Sequence, residues 1–282
     1  MTIAQLRQKY HQQICREIIR APKGYPNFAD GSNKSSCAIA WGVVRRLGCE
    51  VREQAVKEQT AGERFETSTK DFLQEAFIAL QHLRPGEWHY TTIQTAISGF
   101  EQYEHLADLE KIVWKNNELA SVLGGDYIVK PDIVIGRRPV SDEEINKKQP
   151  VIGRDDDIAT LTPLRQLNRP APRLILHASI SCKWTIRSDR SQNTRTEALN
   201  LIRNRKGPLP HIVAVTAEPL PTRIAALALG TGDLDCVYHF ALPELEASIK
   251  DVKNEDQLDI FKIMVDGRRL RDISDLPFDL AI

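Results

Sequence analysis

Two apolar runs, Leu174–Trp184 and His211–Thr216, constrain this chain more than any other feature. Each has the length and apolar density of a buried strand, and the stretch between them, Ser191–Arg203, has helical character. Buried strands need helices over their faces, and the rest of the chain supplies them. Ile3–Ile19 carries apolar residues at helical spacing until Pro22, Gly24 and Pro26 break the pattern. A loop rich in Asp, Gly, Ser and Asn, residues 27–34, leads to a second helix, Ser35–Leu47. Glu63–Leu83 is amphipathic, with Phe65, Phe72, Leu73, Ala76, Phe77 and Leu80 in one stripe, and Pro85-Gly86 ends it. Leu106–Leu123 reads as a helix, and Gly124-Gly125 turns the chain into Tyr127–Ile135, which has strand character around Pro131. Helix, strand, strand, helix, strand is the order of an α/β fold with a mixed central β-sheet flanked by helices. Arg138–Arg173, with several prolines and many charges, reads as a surface insertion. A chain of 282 residues, 41% hydrophobic, can bury one sizeable core. The expectation is a single domain over 1–282, with its core at about 55–220 and an insertion at about 138–172.

Lys plus Arg and Asp plus Glu both number 38, so bulk charge does not mark a non-specific polyanion binder. Charge is unevenly placed, however. Lys183, Arg187, Arg190, Arg195, Arg203, Arg205 and Lys206 crowd one stretch against only Asp189 and Glu197. A local basic face on a neutral protein suits a specifically read partner; a solvated helix is the alternative. Apolar runs long enough to span a membrane, about 18 residues, are missing, and Met1–Arg20 is too polar for a secretory signal. The five cysteines are odd in number and follow no CxxC spacing. Disulfides and structural zinc are therefore not expected, and a reducing cytoplasm is.

Two fragments can carry chemistry: Lys130-Pro131-Asp132-Ile133-Val134-Ile135, and Ser181-Cys182-Lys183 with Glu197 on the following helix. Phosphodiester hydrolysis needs a hard divalent cation on carboxylates and a way to activate water. Asp132 and Lys183, at the ends of adjacent strands, can supply both. Asp132 would bind metal, and Lys183 would orient or deprotonate the attacking water. Glu197 and Glu66 are candidate further carboxylates. Each residue also has an ordinary reading: Pro131-Asp132 as a strand start, Lys183 as a strand-end lysine reaching solvent, Glu66 and Glu197 as helix-surface acids.

The segment Ser181–Glu197, SCKWTIRSDRSQNTRTE, resembles the NgoMIV family of type II restriction endonucleases, whose sites contain CCGG. That family has Ser-x-Lys on the strand and moves the acid to the next helix, with thirteen residues between it and the lysine, as between Lys183 and Glu197 here. Pro131-Asp132, Glu66 and Arg187-Ser188-Asp189-Arg190 match its other elements. The resemblance implies a PD-(D/E)xK core, magnesium as cofactor with two ions per site, and a homotetramer of back-to-back dimers acting on double-stranded DNA. It also implies a bacterial, cytoplasmic enzyme with a partner DNA methyltransferase and no membrane contact. The implied metal set is Asp132, Glu66, Glu197 and the carbonyl of Cys182.

Elementary recognition chemistry supports the same reading. Guanine offers two major-groove acceptors and cytosine one donor. Arg187 and Arg190 can each grip a guanine, and Asp189 can accept from cytosine; a phosphate clamp or surface ion pair is the commoner use of arginine. Asp30 and Arg223 resemble the family's outer-pair contacts, and Gln59 its minor-groove contact. Together they predict GCCGGC, and the family resemblance implies a cut before the first C of CCGG that leaves 5′ four-base overhangs. The alternatives are a structure-directed or repair nuclease with the same core, and a non-catalytic DNA-binding protein. Cys182 is not read as a nucleophile, nor the Arg154–Ile158 run in the insertion as a metal site; that run is read as a solvated acidic loop. His177 is read as a core residue, and Trp184 as packing beneath the recognition helix.

Overall fold

A computed structural model describes residues 1–93, 96–115, 117–118, 121, 129–153, 155–165, 172–230 and 232–282, without the side chains of Trp114 and of residues 188–191. The strands are β1 (Trp88–Thr91), β2 (Ile133–Arg137), β3 (Ile175–Lys183), β4 (His211–Thr216), β5 (Cys236–His239) and β6 (Leu270–Asp272). The helices are α1 (Ile3–Glu17), α2 (Lys34–Leu47), α3 (Glu58–Ala79), α4 (Glu104–Trp114), α5 (Asp142–Ile145), α6 (Ser188–Asn204), α7 (Pro221–Ala228), α8 (Leu242–Val252), α9 (Glu255–Asp266) and α10 (Leu276–Asp279).

The strands form one sheet in the order β1-β2-β3-β4-β5-β6. β1, β2 and β3 pair antiparallel, and β3 through β6 pair parallel. The sheet is mixed, with helices against it, as the element order predicts. Ile212–Thr216 and Ile133–Gly136 are buried throughout, because a strand covered on both faces has no solvent side to make polar. Two registers matter for function. Ile133 lies opposite Ile180 in the antiparallel pair, so Asp132, just before β2, meets the carboxy-terminal end of β3. Lys183 lies beside Thr216 in the parallel pair.

Local chemistry sets the helix ends. Thr2 and Gln5 form a reciprocal capping box on α1. Asn33 caps α2, which ends at Gly48 in the left-handed region at φ 66°. α3 begins earlier than its aromatic stripe suggests, because Ala61 (1% exposed) already belongs to its buried face. It stops at Ala79 rather than Leu83, which is exposed. Residues 119–120 and 122–128, which include the end of the helix expected to reach Leu123, the Gly124-Gly125 turn and the first residues of the Tyr127–Ile135 segment, lie outside the described residues.

Other elements went unforeseen. β1 is a short edge strand with His89 exposed and its other residues half-buried, and β5 and β6 are only four and three residues long. Such strands leave too few positions for a period-two pattern to register. The cysteine expectation is corrected: Cys15 and Cys49 form a disulfide, with Cα atoms 5.1 Å apart. It joins the last turns of α1 to the residue after the α2 cap, a juxtaposition that helix packing creates and cysteine spacing cannot announce. Cys37, Cys182 and Cys236 are free thiols.

In the insertion, Arg165 is buried and forms a two-pronged ion pair with Asp142, at 2.6 and 2.7 Å. Asp155–Ile158 is exposed, in keeping with an acidic loop; Arg154 and residues 166–171 lie outside the described residues. His177 is buried on β3 with its Nε2 on the Leu280 carbonyl, 2.9 Å. Trp184 packs among Phe28, Phe65 and Phe240. No helix among the described residues is long and apolar enough to cross a membrane.

Candidate active site

The antiparallel β2–β3 register brings the Asp132 carboxylate against the end of β3. Its Oδ2 accepts from the Cys182 main-chain N–H at 2.7 Å, from Lys183 Nζ at 3.0 Å and from Ser181 Oγ at 3.4 Å. Oδ1 takes no hydrogen bond among the described residues. One oxygen thus anchors the side chain while the other stays open. Asp132 and Lys183 are each about a fifth exposed at the side chain, 23% and 21%, so the pair is open to solvent. Burial pushes the Lys183 ammonium down, but the charge and hydrogen bond of Asp132, helped by Glu197, outweigh it and the net shift is upward. Lys183 is therefore a charged donor here.

Two more acids feel this pair. Glu66, from α3, is pushed up to about 7 by burial and the negative charge of Asp132, with Lys183 opposing. Glu197, from α6, is raised by burial and by Asp132, again with Lys183 opposing. Asp132, Glu66 and Glu197 together carry more negative charge than Lys183 offsets. The Cys182 thiol is buried, and burial with Asp132 and Glu66 raises it far above its ordinary value, so it stays protonated and is no nucleophile.

The donor set is oxygen-rich, as a hard cation requires. Among the described residues no three His, Cys, Asp or Glu side chains stand together as a ready-made cage. Magnesium in general keeps several waters and is held by carboxylates together with substrate phosphate rather than by a cage made wholly of protein. Asp132 Oδ1 and the excess carboxylate charge fit such an ion.

The residues expected to read bases make contacts of their own. Arg187, the residue before α6, pairs with Glu58 at 3.3 Å, and both are exposed. Gln59, next to Glu58, donates to Glu63 at 3.0 Å. Asp30 and Arg223 pair with each other. The Asp189 and Arg190 side chains lie outside the described residues.

Comparison with known proteins adds the deciding observation. The family model described as the NgoMIV restriction enzyme matches residues 10–282. Type II restriction enzyme NgoMIV of Neisseria gonorrhoeae is 49% identical over 284 residues, covering 99% of this chain and 98% of the relative. The chain belongs to the NgoMIV restriction enzyme family. As a member of the NgoMIV family it is a type II restriction endonuclease, a DNA-binding, site-specific deoxyribonuclease.

The structure of this NgoMIV-family chain also brings forward residues that sequence reasoning passed over. Glu58 offers a partner to Arg187; a first-turn acid on a surface helix carries no distinguishing signal. Glu218 is 1% exposed, in the run that follows β4. A carboxylate in so apolar a stretch, HIVAVTAEPL, is the signal that could have found it, since acids are seldom fully buried without partners.

Proposed function

We propose that this single-domain enzyme, residues 1–282, hydrolyses both strands of double-stranded DNA at GCCGGC. It cuts before the first C of CCGG and leaves 5′ four-base overhangs, with Mg2+ as cofactor. The observation that carries the reading is the Asp132–Lys183 contact at 3.0 Å on adjacent strand ends, with Glu66 and Glu197 in electrostatic range. Asp132, the Cys182 carbonyl, Glu66 and Glu197 would hold magnesium, which when bound polarises the scissile phosphate and lowers the pKa of water. Lys183 donates toward the scissile phosphate and orients the attacking water. Ser181 and the Cys182 amide fix Asp132 in place.

Arg187, Asp189 and Arg190 read the inner CCGG pairs, with arginine on guanine O6 and N7 and aspartate on the cytosine amino group. Asp30 and Arg223 apply the same chemistry to the outer pair, and Gln59 touches the minor groove. The two-fold repeat of such a site calls for a symmetric assembly, and the family resemblance supports a homotetramer of two dimers. A partner methyltransferase would protect host DNA, and the cytoplasm is the compartment where both meet it. Digestion of a plasmid of known sequence with and without magnesium, followed by sequencing of the ends, tests the reading. Discrete fragments ending at GCCGGC are expected; smears, nicks, or equal cutting at every CCGG regardless of flank would overturn it.

A further inference from the structure

Arg187 and Arg223 stand on different elements, yet one buried carboxylate holds both approaches. Glu218 Oε2 accepts from the Ile186 N–H at 2.9 Å, one residue before Arg187. Its Oε1 accepts from the Leu220 N–H at 3.2 Å, where α7 begins and Arg223 follows within one turn. The main chain of Glu218 donates to Thr216 Oγ1 at 3.1 Å, and that hydroxyl donates to the Lys183 carbonyl at 2.8 Å. The carboxylate therefore clamps two turns to each other at the end of the strand pair that carries Lys183.

We propose that Glu218 is a positioning residue for sequence discrimination, tying the turn that launches Arg187 to the turn that launches Arg223. The readers of the inner and outer base pairs are thereby held at a fixed separation. The inference rests on the base-reading assignment above.

Physical cost supports it. A carboxylate that is 1% exposed is expensive to bury, and a neutral side chain would fill the same space more cheaply. Burial raises its pKa, while the two main-chain donors and Arg223 pull it back. What the carboxylate supplies, and a smaller or apolar residue cannot, is two acceptors a fixed distance apart facing two N–H groups from separate turns. In Glu218→Gln the amide keeps one acceptor and turns an N–H2 toward the other N–H, so one side of the clamp opens while the volume is unchanged. A misplaced reader loses its preference for the right base without losing the ability to cut.

The test compares kcat/KM on three duplexes: GCCGGC, the same site with the outer pair changed, and the same site with one inner pair changed. Wild type, E218Q and R223A are assayed with magnesium, and each is melted to verify cooperative unfolding. E218Q is expected to melt cooperatively and to lose about tenfold in discrimination at the outer pair, the order that one displaced bidentate contact is worth. Its kcat on GCCGGC should change far less. If E218Q does not fold, Glu218→Asp, which keeps the charge but withdraws the carboxylate, is read by the same criterion. Wild-type discrimination in the folded variant, alongside lost discrimination in R223A, overturns the positioning role alone. Wild-type discrimination in R223A overturns the base-reading assignment, and the positioning role with it.

Discussion

Asp30 and Arg223 are 193 residues apart in sequence and form an ion pair between Oδ2 and Nη2. Ser32 holds the other Asp30 oxygen, through its N–H at 3.0 Å and its hydroxyl at 2.6 Å. The two residues assigned to the outer C:G pair thus neutralise each other in the free protein. A guanine and a cytosine would take each partner's place on binding, acceptors for the arginine and a donor for the aspartate.

Arg223→Ala and Asp30→Ala should each reduce discrimination at the outer pair by about 1–3 kcal/mol. With side chains 36% and 24% exposed, the pair should contribute at most about 1 kcal/mol to folding stability. Cleavage of duplexes differing only in the bases flanking CCGG measures the first effect and urea denaturation the second. Wild-type flank preference in both variants would remove these residues from recognition.

Lys183→Ala should cut about 10²–10⁴-fold more slowly, the usual worth of a positioned proton-transfer or water-orienting group. Specific DNA binding in a gel shift should persist, because the lysine reads no base. Full cleavage by this variant would take Lys183 out of the chemistry.

Cys182→Ala should retain cleavage within about an order of magnitude, since any residue supplies the main-chain N–H that Asp132 accepts and the carbonyl assigned to metal. Initial rates on plasmid with magnesium give the answer. Loss comparable to that of Lys183→Ala would mean the thiol participates.

Burial pushes His177 down to about 3 from 6.5, with the Leu280 carbonyl opposing. Below 6.5 the unfolded chain binds a proton that the folded chain refuses, so His177 costs stability as pH falls from 6.5 toward 3. His177→Gln, which can still donate to Leu280, escapes that cost. Relative to wild type it should gain up to about 1.4 kcal/mol per pH unit below 6. Denaturation midpoints of both proteins at pH 7, 6 and 5 check the sign; a constant difference would show that His177 titrates normally.

The Cys15–Cys49 disulfide closes a separation of 34 residues, and reducing it should lower stability by about 2–4 kcal/mol. In the cytoplasm proposed above these sulfurs would be thiols, and the fold is then expected to stand and cut DNA without the bond. Thermal melts and plasmid cleavage with and without dithiothreitol test both halves. Loss of cleavage on reduction would contradict a cytoplasmic enzyme.

Long, strongly patterned segments were legible from the residues alone. His211–Thr216 is almost wholly apolar, and Leu174–Trp184 is apolar at both ends and at every second position between, so both are strand candidates for the interior. Ile3–Ile19, Ser35–Leu47 and Ser191–Arg203 carry the helical period, and their ends shifted by only a few residues. The candidate chemistry was equally visible as residue types: an aspartate after proline, a lysine ending a strand, and two arginines around an aspartate.

Tertiary structure decided which of these groups meet. Asp132 reaches Lys183 only because β2 runs antiparallel to β3 in a register that pairs Ile133 with Ile180. Cys15 finds Cys49 through helix packing, Asp30 finds Arg223, and Glu218 bridges Ile186 and Leu220. Periodicity reports which face of a segment avoids water, a property of neighbours along the chain. Contacts between distant segments depend on strand order and register, which come from the summed burial of the whole chain and leave no mark at any single residue.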